Sequence, residues 1–91
     1  MNERQRLRDL LLAKSYRQGT FTLTSGKTSD FYVDGKQTTL DAEGAYLCGR
    51  LLFELIRTHP EAIVGVGGMT LGADPLVTAV SMVSYLEKAP I

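Results

Sequence analysis

A glycine-rich segment between an apolar run and an apolar helix constrains this chain more than any other feature. Residues 62–66 read AIVGV, and the loop behind them contains Gly67, Gly68 and Gly72. A short, continuous apolar run is typical of a central strand covered on both faces, as in a parallel sheet. The pair Asp74-Pro75 then fits a helix start, with Asp at the N-cap and Pro at the first helical position. The order predicts a strand, a tight turn and a helix.

The same segment predicts an anion site. Glycines between a strand and a helix let backbone N–H groups approach an anion closely, and the helix N-terminus adds partial positive charge. Phosphate or pyrophosphate is the ligand that this geometry favours. Two named motifs are excluded, because Ala73 rather than Lys follows Gly72, and Thr70 stands where a dinucleotide fingerprint beginning at Gly65 requires Gly or Ala. A glycine turn that serves packing alone is the alternative.

Three helices are predicted around this segment. Asn2 and Gln5 have the spacing of a capping box for the first helix, and Gly19 is a typical helix stop. Asp41 is a typical N-cap for the second. The third, residues 76–86, is apolar almost all round, which predicts burial on more than one side, in a core or in a subunit interface.

The second predicted helix has a clear apolar stripe and a polar face. Cys48 lies on the stripe, so we interpret it as a small buried hydrophobe rather than a nucleophile. Arg50 and Glu54 are four residues apart and predict a surface ion pair. Pro60 prevents the helix from continuing.

A polar loop between two short strands is predicted from residues 20–33. Residues 20–24 alternate between polar and apolar, residues 25–30 are rich in turn formers, and residues 31–33 are strand formers. The loop offers hydroxyl groups and the Lys27 cation beside the rings of Phe31 and Tyr32. Such a group can hold a planar anion by charge-assisted hydrogen bonds and stacking. A plain hairpin turn is the alternative.

Composition limits the function classes. Ten basic and ten acidic residues give a formal net charge of zero, which argues against a nucleic-acid binder that neutralises phosphates. No apolar run approaches the length of a membrane span, and the N-terminus lacks a secretory signal, so we expect no membrane partner and a cytoplasmic location. One cysteine and one histidine exclude a disulfide framework and a Cys/His metal cage.

The order of elements indicates an α/β domain that looks unfinished. Only one strand has the pattern of a central parallel strand, and one strand does not make a sheet. We therefore expect this chain to be the front portion of a longer polypeptide; completion of the sheet by oligomerisation is the alternative.

Two segments taken together resemble the orotate phosphoribosyltransferase family. They are FTLTSGKTSDFYVD at residues 21–34 and VGGMTLGADP at residues 66–75, and the resemblance extends over essentially the whole chain. It implies the N-terminal part of a type I phosphoribosyltransferase fold, an α/β fold with a parallel sheet flanked by helices and a small hood hairpin, here truncated. Residues 1–91 then form a single partial domain, with the N-terminal helix and base-site hood at 1–40 and the first helix–strand–helix of the core at 41–91.

The resemblance also implies the activity and the site. The reaction is transfer of ribose 5-phosphate from phosphoribosyl pyrophosphate to orotate, with Mg2+ held mainly by the pyrophosphate, in a homodimer. The family's basic catalytic loop and acidic-pair motif are missing, so no catalytic residue is assigned and the chain is expected to be inactive alone. The implied substrate-binding residues are Thr24, Ser25, Gly26, Lys27, Phe31, Tyr32, Gly68, Met69, Thr70, Leu71 and Gly72.

At two of these positions the chain departs from some members of the family. Those members have lysine where Thr24 or Leu71 stands here, so the side-chain cations that make direct charge contacts are absent at these positions, and backbone contacts remain available. Two other readings remain open: a non-catalytic phosphoribosyltransferase-fold sensor or regulator of nucleotides, and a structural module built on the apolar helix.

Overall fold

The computed structural model of the chain describes residues 2–91. The elements, in chain order, are helix α1 (Glu3–Leu10), a π-helical turn (Leu11–Ser15), strands β1 (Tyr16–Thr22) and β2 (Thr28–Val33), and helices α2 (Lys36–Thr39), α3 (Ala42–Arg57) and α4 (Asp74–Leu86). The two strands pair in an antiparallel hairpin, which is the one sheet of the described residues. None of the helices in this range is long and apolar enough to cross a membrane.

The predicted capping box begins α1. The backbone N–H of Gln5 donates to the Asn2 side chain at 2.8 Å, and the Gln5 side chain accepts from the Asn2 N–H at 3.4 Å. The prediction that Gly19 ends this helix is wrong. Gly19 lies within β1 at φ +153°, beside a register irregularity between Gln18 and Phe21. Pairing with β2 draws the chain from Tyr16 onward into the hairpin, so tertiary contacts override the helix-stop signal.

Helices α3 and α4 form the core. Leu47 and Phe53 of α3 and Val80 and Val83 of α4 are its buried apolar side chains. The helices approach closely at Gly49, where a Cβ atom would lie 2.8 Å from the carbonyl oxygen of Ala79. Close packing of this kind excludes a larger residue at position 49.

Helix α4 buries one face only within the chain. Val80, Val83 and Ser84 are buried, whereas Met82, Tyr85 and Leu86 are 63%, 74% and 71% exposed. Burial on several sides is therefore not observed among residues 2–91, because α3 is the one long helix that packs on α4 there. The subunit interface predicted for this helix stays a prediction.

The predictions for α3 are confirmed. The Asp41 carboxylate accepts from the Gly44 N–H at 3.0 Å as the N-cap, and Arg50 pairs with Glu54 at 3.4 Å. Arg50 also pairs with Glu3 at 3.6 Å and with Glu87 at 2.7 Å, so one guanidinium joins the start of α1, the middle of α3 and the end of α4.

The Cys48 thiol is partly buried, and this burial raises its pKa. A raised pKa keeps the thiol neutral at physiological pH, which fits the interpretation of Cys48 as a small hydrophobe.

The strand predicted at residues 62–66 is not formed. This segment has no regular secondary structure, and the Val64 side chain is 89% exposed. A parallel strand needs a neighbouring strand to satisfy its backbone groups, and residues 2–91 supply none on this side of the helices. For the same reason the parallel sheet that the resemblance implies is absent from the described residues.

The N-cap predicted at Asp74 lies one residue too late. Ala73 is the N-cap, Asp74 is the first helical residue, and no side chain caps this helix end. The preceding turn already has helix-like hydrogen bonds, from the Ala73 N–H to the Met69 carbonyl at 3.0 Å and from the Asp74 N–H to the Leu71 carbonyl at 3.2 Å. These bonds take the place of a side-chain cap.

Candidate functional site

The tip of the hairpin presents hydroxyl groups and one cation to solvent. The Leu23 N–H donates to the Lys27 carbonyl at 2.7 Å, and the Gly26 N–H donates to the Leu23 carbonyl at 2.9 Å, which closes the loop. Gly26 has φ +87°, a conformation that favours glycine. Thr24, Ser25 and Lys27 are exposed, and Lys27 forms no ion pair with any residue from 2 to 91. The tip can therefore offer an ammonium group and hydroxyls to an anion.

Aromatic rings lie on both faces of the hairpin. Phe31 stacks on Tyr16 with ring centroids 6.0 Å apart, and Tyr32 packs against Phe21 at 5.7 Å. Successive residues of a strand point to opposite faces, so Phe31 and Tyr32 face away from each other. Both rings are about half exposed, at 46% and 45%. A planar ligand lying against one face of the hairpin can stack on one of these two rings, not on both.

The glycine loop offers unused backbone donors at the start of α4. Within the described range, no hydrogen bond uses the N–H groups of residues 67–72. The loop lies tight against the helix at Gly68, where a Cβ atom would be 2.5 Å from the Ala73 Cβ. Free N–H groups beside the N-terminus of a helix favour an anion.

The side chains of this loop are exposed to solvent. Met69 and Leu71 are 86% and 80% exposed, and Thr70 is also exposed. Because residues 67–72 include no Lys or Arg, the loop offers an anion backbone N–H groups rather than a side-chain cation. Gly67 has the same unused N–H group and was not among the predicted residues, although the adjacent glycine pair signals it.

The structure brings the predicted residues together in two groups rather than one. Thr24, Ser25, Gly26, Lys27, Phe31 and Tyr32 share the hairpin, whereas Gly68, Met69, Thr70, Leu71 and Gly72 precede α4. Among residues 2–91 no hydrogen bond, ion pair or aromatic contact joins the two groups. Their convergence on a single ligand stays a prediction.

An apolar groove lies between α3, residues 63–67 and α4. Its volume is about 430 Å³, and Leu52, Ile56, Val66 and Val77 are among its lining residues. Apart from the ring of His59, the lining side chains are apolar, so this groove does not suit an anionic substrate. In the described part of the chain no group of three or more His, Cys, Asp or Glu side chains is placed to hold a metal ion.

The amino-acid sequence is similar to those of known enzymes. The chain is 49% identical over 97% of its length to the orotate phosphoribosyltransferase of Nostoc sp. and 55% identical over 91% to that of Thermosynechococcus vestitus. It spans 41% and 42% of the length of these two relatives. No protein-family model matches the chain.

The fold has a solved counterpart. The crystal structure of the Mycobacterium tuberculosis orotate phosphoribosyltransferase superposes with a TM-score of 0.74 at 40% identity, over 88% of this chain and 46% of that one. The partial phosphoribosyltransferase fold predicted from the two motifs is therefore confirmed, although its parallel sheet is not formed here. Over nearly its whole length, and in both sequence and fold, this chain resembles the orotate phosphoribosyltransferases.

Proposed function

We propose that this chain supplies the base site and the pyrophosphate loop of an orotate phosphoribosyltransferase. The enzyme forms orotidine 5′-monophosphate and pyrophosphate from orotate and phosphoribosyl pyrophosphate in pyrimidine biosynthesis. The observation that carries the proposal is 49–55% identity to curated enzymes of that name over more than nine-tenths of the chain. The two predicted ligand-binding loops both lie inside the aligned length.

The hairpin is proposed to bind the base. Orotate is a planar anion, so it needs a cation and a flat apolar surface. Lys27 supplies the cation at the hairpin tip, and the half-exposed rings of Phe31 and Tyr32 supply one such surface on each face. Because these rings face apart, one of them contacts the base and the other packs elsewhere.

The glycine loop is proposed to bind the pyrophosphate of the donor. Pyrophosphate leaves the anomeric carbon as negative charge develops on it, and fixed N–H donors stabilise such charge without reorganisation. The N–H groups of residues 67–72 are unused among residues 2–91, and no lysine side chain is present in this loop. Orientation of the two reactants and stabilisation of the leaving group are then the main contributions of this chain.

The metal ion, the oligomeric state and the location are proposed by analogy with the orotate phosphoribosyltransferase family. When bound, Mg2+ would supply positive charge to the leaving pyrophosphate, and it would be held mainly by substrate oxygens and water, since Mg2+ is usually bound through substrate phosphates with few protein ligands. We also propose a cytoplasmic homodimer without nucleic-acid or membrane partners. In it, residues 1–40 form the hood with the base site, and residues 41–91 form part of the core.

Calorimetric titration tests the proposal. Orotate and phosphoribosyl pyrophosphate with Mg2+ should each give heat with the unmodified protein. Heat from the donor alone would instead favour a nucleotide sensor, and no heat from either ligand would favour a structural module. The 91-residue chain by itself should release no pyrophosphate in the presence of orotate, because it lacks the family's catalytic loop; robust turnover would contradict this expectation.

A matched pair of lysines tests the hairpin site. Lys27→Ala should weaken orotate binding by about tenfold, which corresponds to about 1.4 kcal/mol and lies just below the range of a hydrogen bond to a charged group, as suits a solvent-exposed contact. Lys36→Ala is the control, because Lys36 is also exposed but lies in α2 outside the predicted site. Equal effects of the two substitutions would show that Lys27 contributes only general positive charge.

A further inference from the structure

The hairpin stands clear of the helices along most of its length. Phe21 and Ser29 are its only partly buried residues, and every other residue of β1 and β2 is exposed. Because few of its side chains pack against the helices, the orientation of the hairpin is set by the residues that join it to the rest of the chain. This junction is the root of the hairpin, formed by Ser15 before β1 and Asp34 after β2.

Ser15 holds both ends of the hairpin. Its carbonyl oxygen accepts a hydrogen bond from the Asp34 N–H at 3.0 Å, which ties the end of β2 to the start of β1. Its side-chain hydroxyl shares a hydrogen bond of 2.6 Å with the hydroxyl of Thr38 in α2. Both side chains are completely buried.

Thr38 is in turn fixed against α3. A Cβ atom at Gly44 would lie 2.0 Å from the Thr38 carbonyl oxygen, so α2 and α3 are in direct backbone contact. Helix α3 packs on α4 through Gly49 and Ala79, and α4 begins directly after the glycine loop. A continuous path of close contacts therefore runs from the hairpin root to the glycine loop, and the Ser15–Thr38 hydrogen bond is its first link.

We propose that Ser15 and Thr38 are positioning residues that set the orientation of the hairpin relative to the glycine loop. The inference rests on the proposed function, because it concerns how the hairpin presents its site to orotate. Loss of either hydroxyl leaves the other one buried without its partner and loosens the root. The hairpin then samples several orientations, and the affinity for a ligand that needs one of them falls by the fraction of time spent in the others.

The test measures two dissociation constants by calorimetry in Ser15→Ala and Thr38→Val: that of orotate in the presence of saturating pyrophosphate, and that of phosphoribosyl pyrophosphate alone. Orotate depends on the orientation of the hairpin only when the glycine loop is occupied, so the first constant reports on that orientation. We expect the orotate constant to rise about fivefold, in line with the net contribution of one hydrogen bond, and the donor constant to change less than about twofold. Thr38→Ser keeps the hydroxyl and should restore orotate binding. A purely structural role would shift both constants together.

A second buried serine provides the control. Ser84 in α4 is also completely buried and hydrogen-bonded, to the Ser81 carbonyl at 2.7 Å and from the Ile91 N–H at 3.0 Å, but it is far along the chain from the hairpin root. Ser84→Ala should lower the melting temperature without a selective change in orotate binding. A selective loss of orotate binding in Ser84→Ala would overturn this inference and leave the proposed function standing. The same holds if Ser15→Ala and Thr38→Val show no selective loss of orotate binding. Absence of orotate binding to the unmodified protein would overturn the proposed function as well.

Discussion

At the scale of single residues, Gly68 is the position where close packing and the proposed pyrophosphate site both depend on the absence of a side chain. A Cβ atom there would meet the Ala73 Cβ at 2.5 Å, so Gly68→Ala must push the glycine loop away from α4. We expect phosphoribosyl pyrophosphate binding to weaken about tenfold, since about 1.4 kcal/mol is within the usual range for overpacking. Orotate binding should change little, which calorimetry with each ligand measures. Gly65→Ala is the control, because nothing lies within 4 Å of its Cβ position.

Lys88 is a residue in a conformation that its type disfavours. It follows α4 at φ +61°, where its N–H donates to the Tyr85 carbonyl and the Ala89 N–H donates to the Ser84 carbonyl, as in a Schellman motif. The left-handed conformation costs a residue with a Cβ atom about 1–2 kcal/mol. Glycine avoids this cost, but the greater backbone entropy that it loses on folding offsets about 0.5–1 kcal/mol of the difference. Lys88→Gly should therefore raise the free energy of unfolding by about 0.5–1 kcal/mol in urea titrations. Lys88→Ala keeps the Cβ atom and should give no such gain.

At the scale of secondary-structure elements, the distance between α3 and α4 is set by Gly49. Alanine is normally favoured over glycine inside a helix by about 0.5–1 kcal/mol. At position 49, however, its Cβ would lie 2.8 Å from a backbone oxygen of α4, which cannot move without displacing that helix. Gly49→Ala should therefore destabilise the protein by about 1–3 kcal/mol, measured by chemical denaturation. Gly35→Ala has open space around its Cβ; a loss there equal to that at Gly49 would refute the steric explanation.

The elements also show which patterns could be interpreted from the sequence. Local hydrogen bonds determine the capping box at Asn2 and the N-cap at Asp41, and both were predictable for that reason. A strand at residues 62–66 depends instead on a neighbouring strand, so an apolar pattern alone does not determine it. The two loops proposed to bind ligands are marked in the sequence by their glycines and polar groups, and their role stays a prediction. The Ser15–Thr38 contact joins residues 23 positions apart with no shared motif, so the sequence gives no signal for it.

At the scale of the whole molecule, the hairpin and the helical core are also joined by one ion pair beside the root. Lys14, in the turn before β1, pairs with Asp41 at the start of α3 at 2.6 Å. The hydrogen bond from Lys14, together with the Gly44 N–H, lowers the pKa of Asp41 in the folded protein. A lowered pKa means that the folded state binds protons less readily than the unfolded state. The pair therefore stabilises the fold above the unfolded pKa of about 3.9, and this contribution is lost as the pH falls through the folded pKa.

Asp41→Asn isolates this charge, because an asparagine oxygen still caps α3 but no longer attracts Lys14. We expect the variant to be less stable than the unmodified protein at pH 7 and to approach its stability as the pH falls through the lowered folded pKa of Asp41 and its carboxylate becomes protonated. Urea unfolding at a series of pH values measures both. Asp9→Asn removes a carboxylate of α1 that forms no ion pair in the described range and should leave the difference between pH 7 and pH 3 unchanged. If the free energy of unfolding of Asp41→Asn fell with pH as steeply as that of the unmodified protein, the Asp41 charge would not be the cause of that fall. The hairpin and the core would then be joined by the buried Ser15–Thr38 hydroxyl pair and by backbone contacts rather than by this charge.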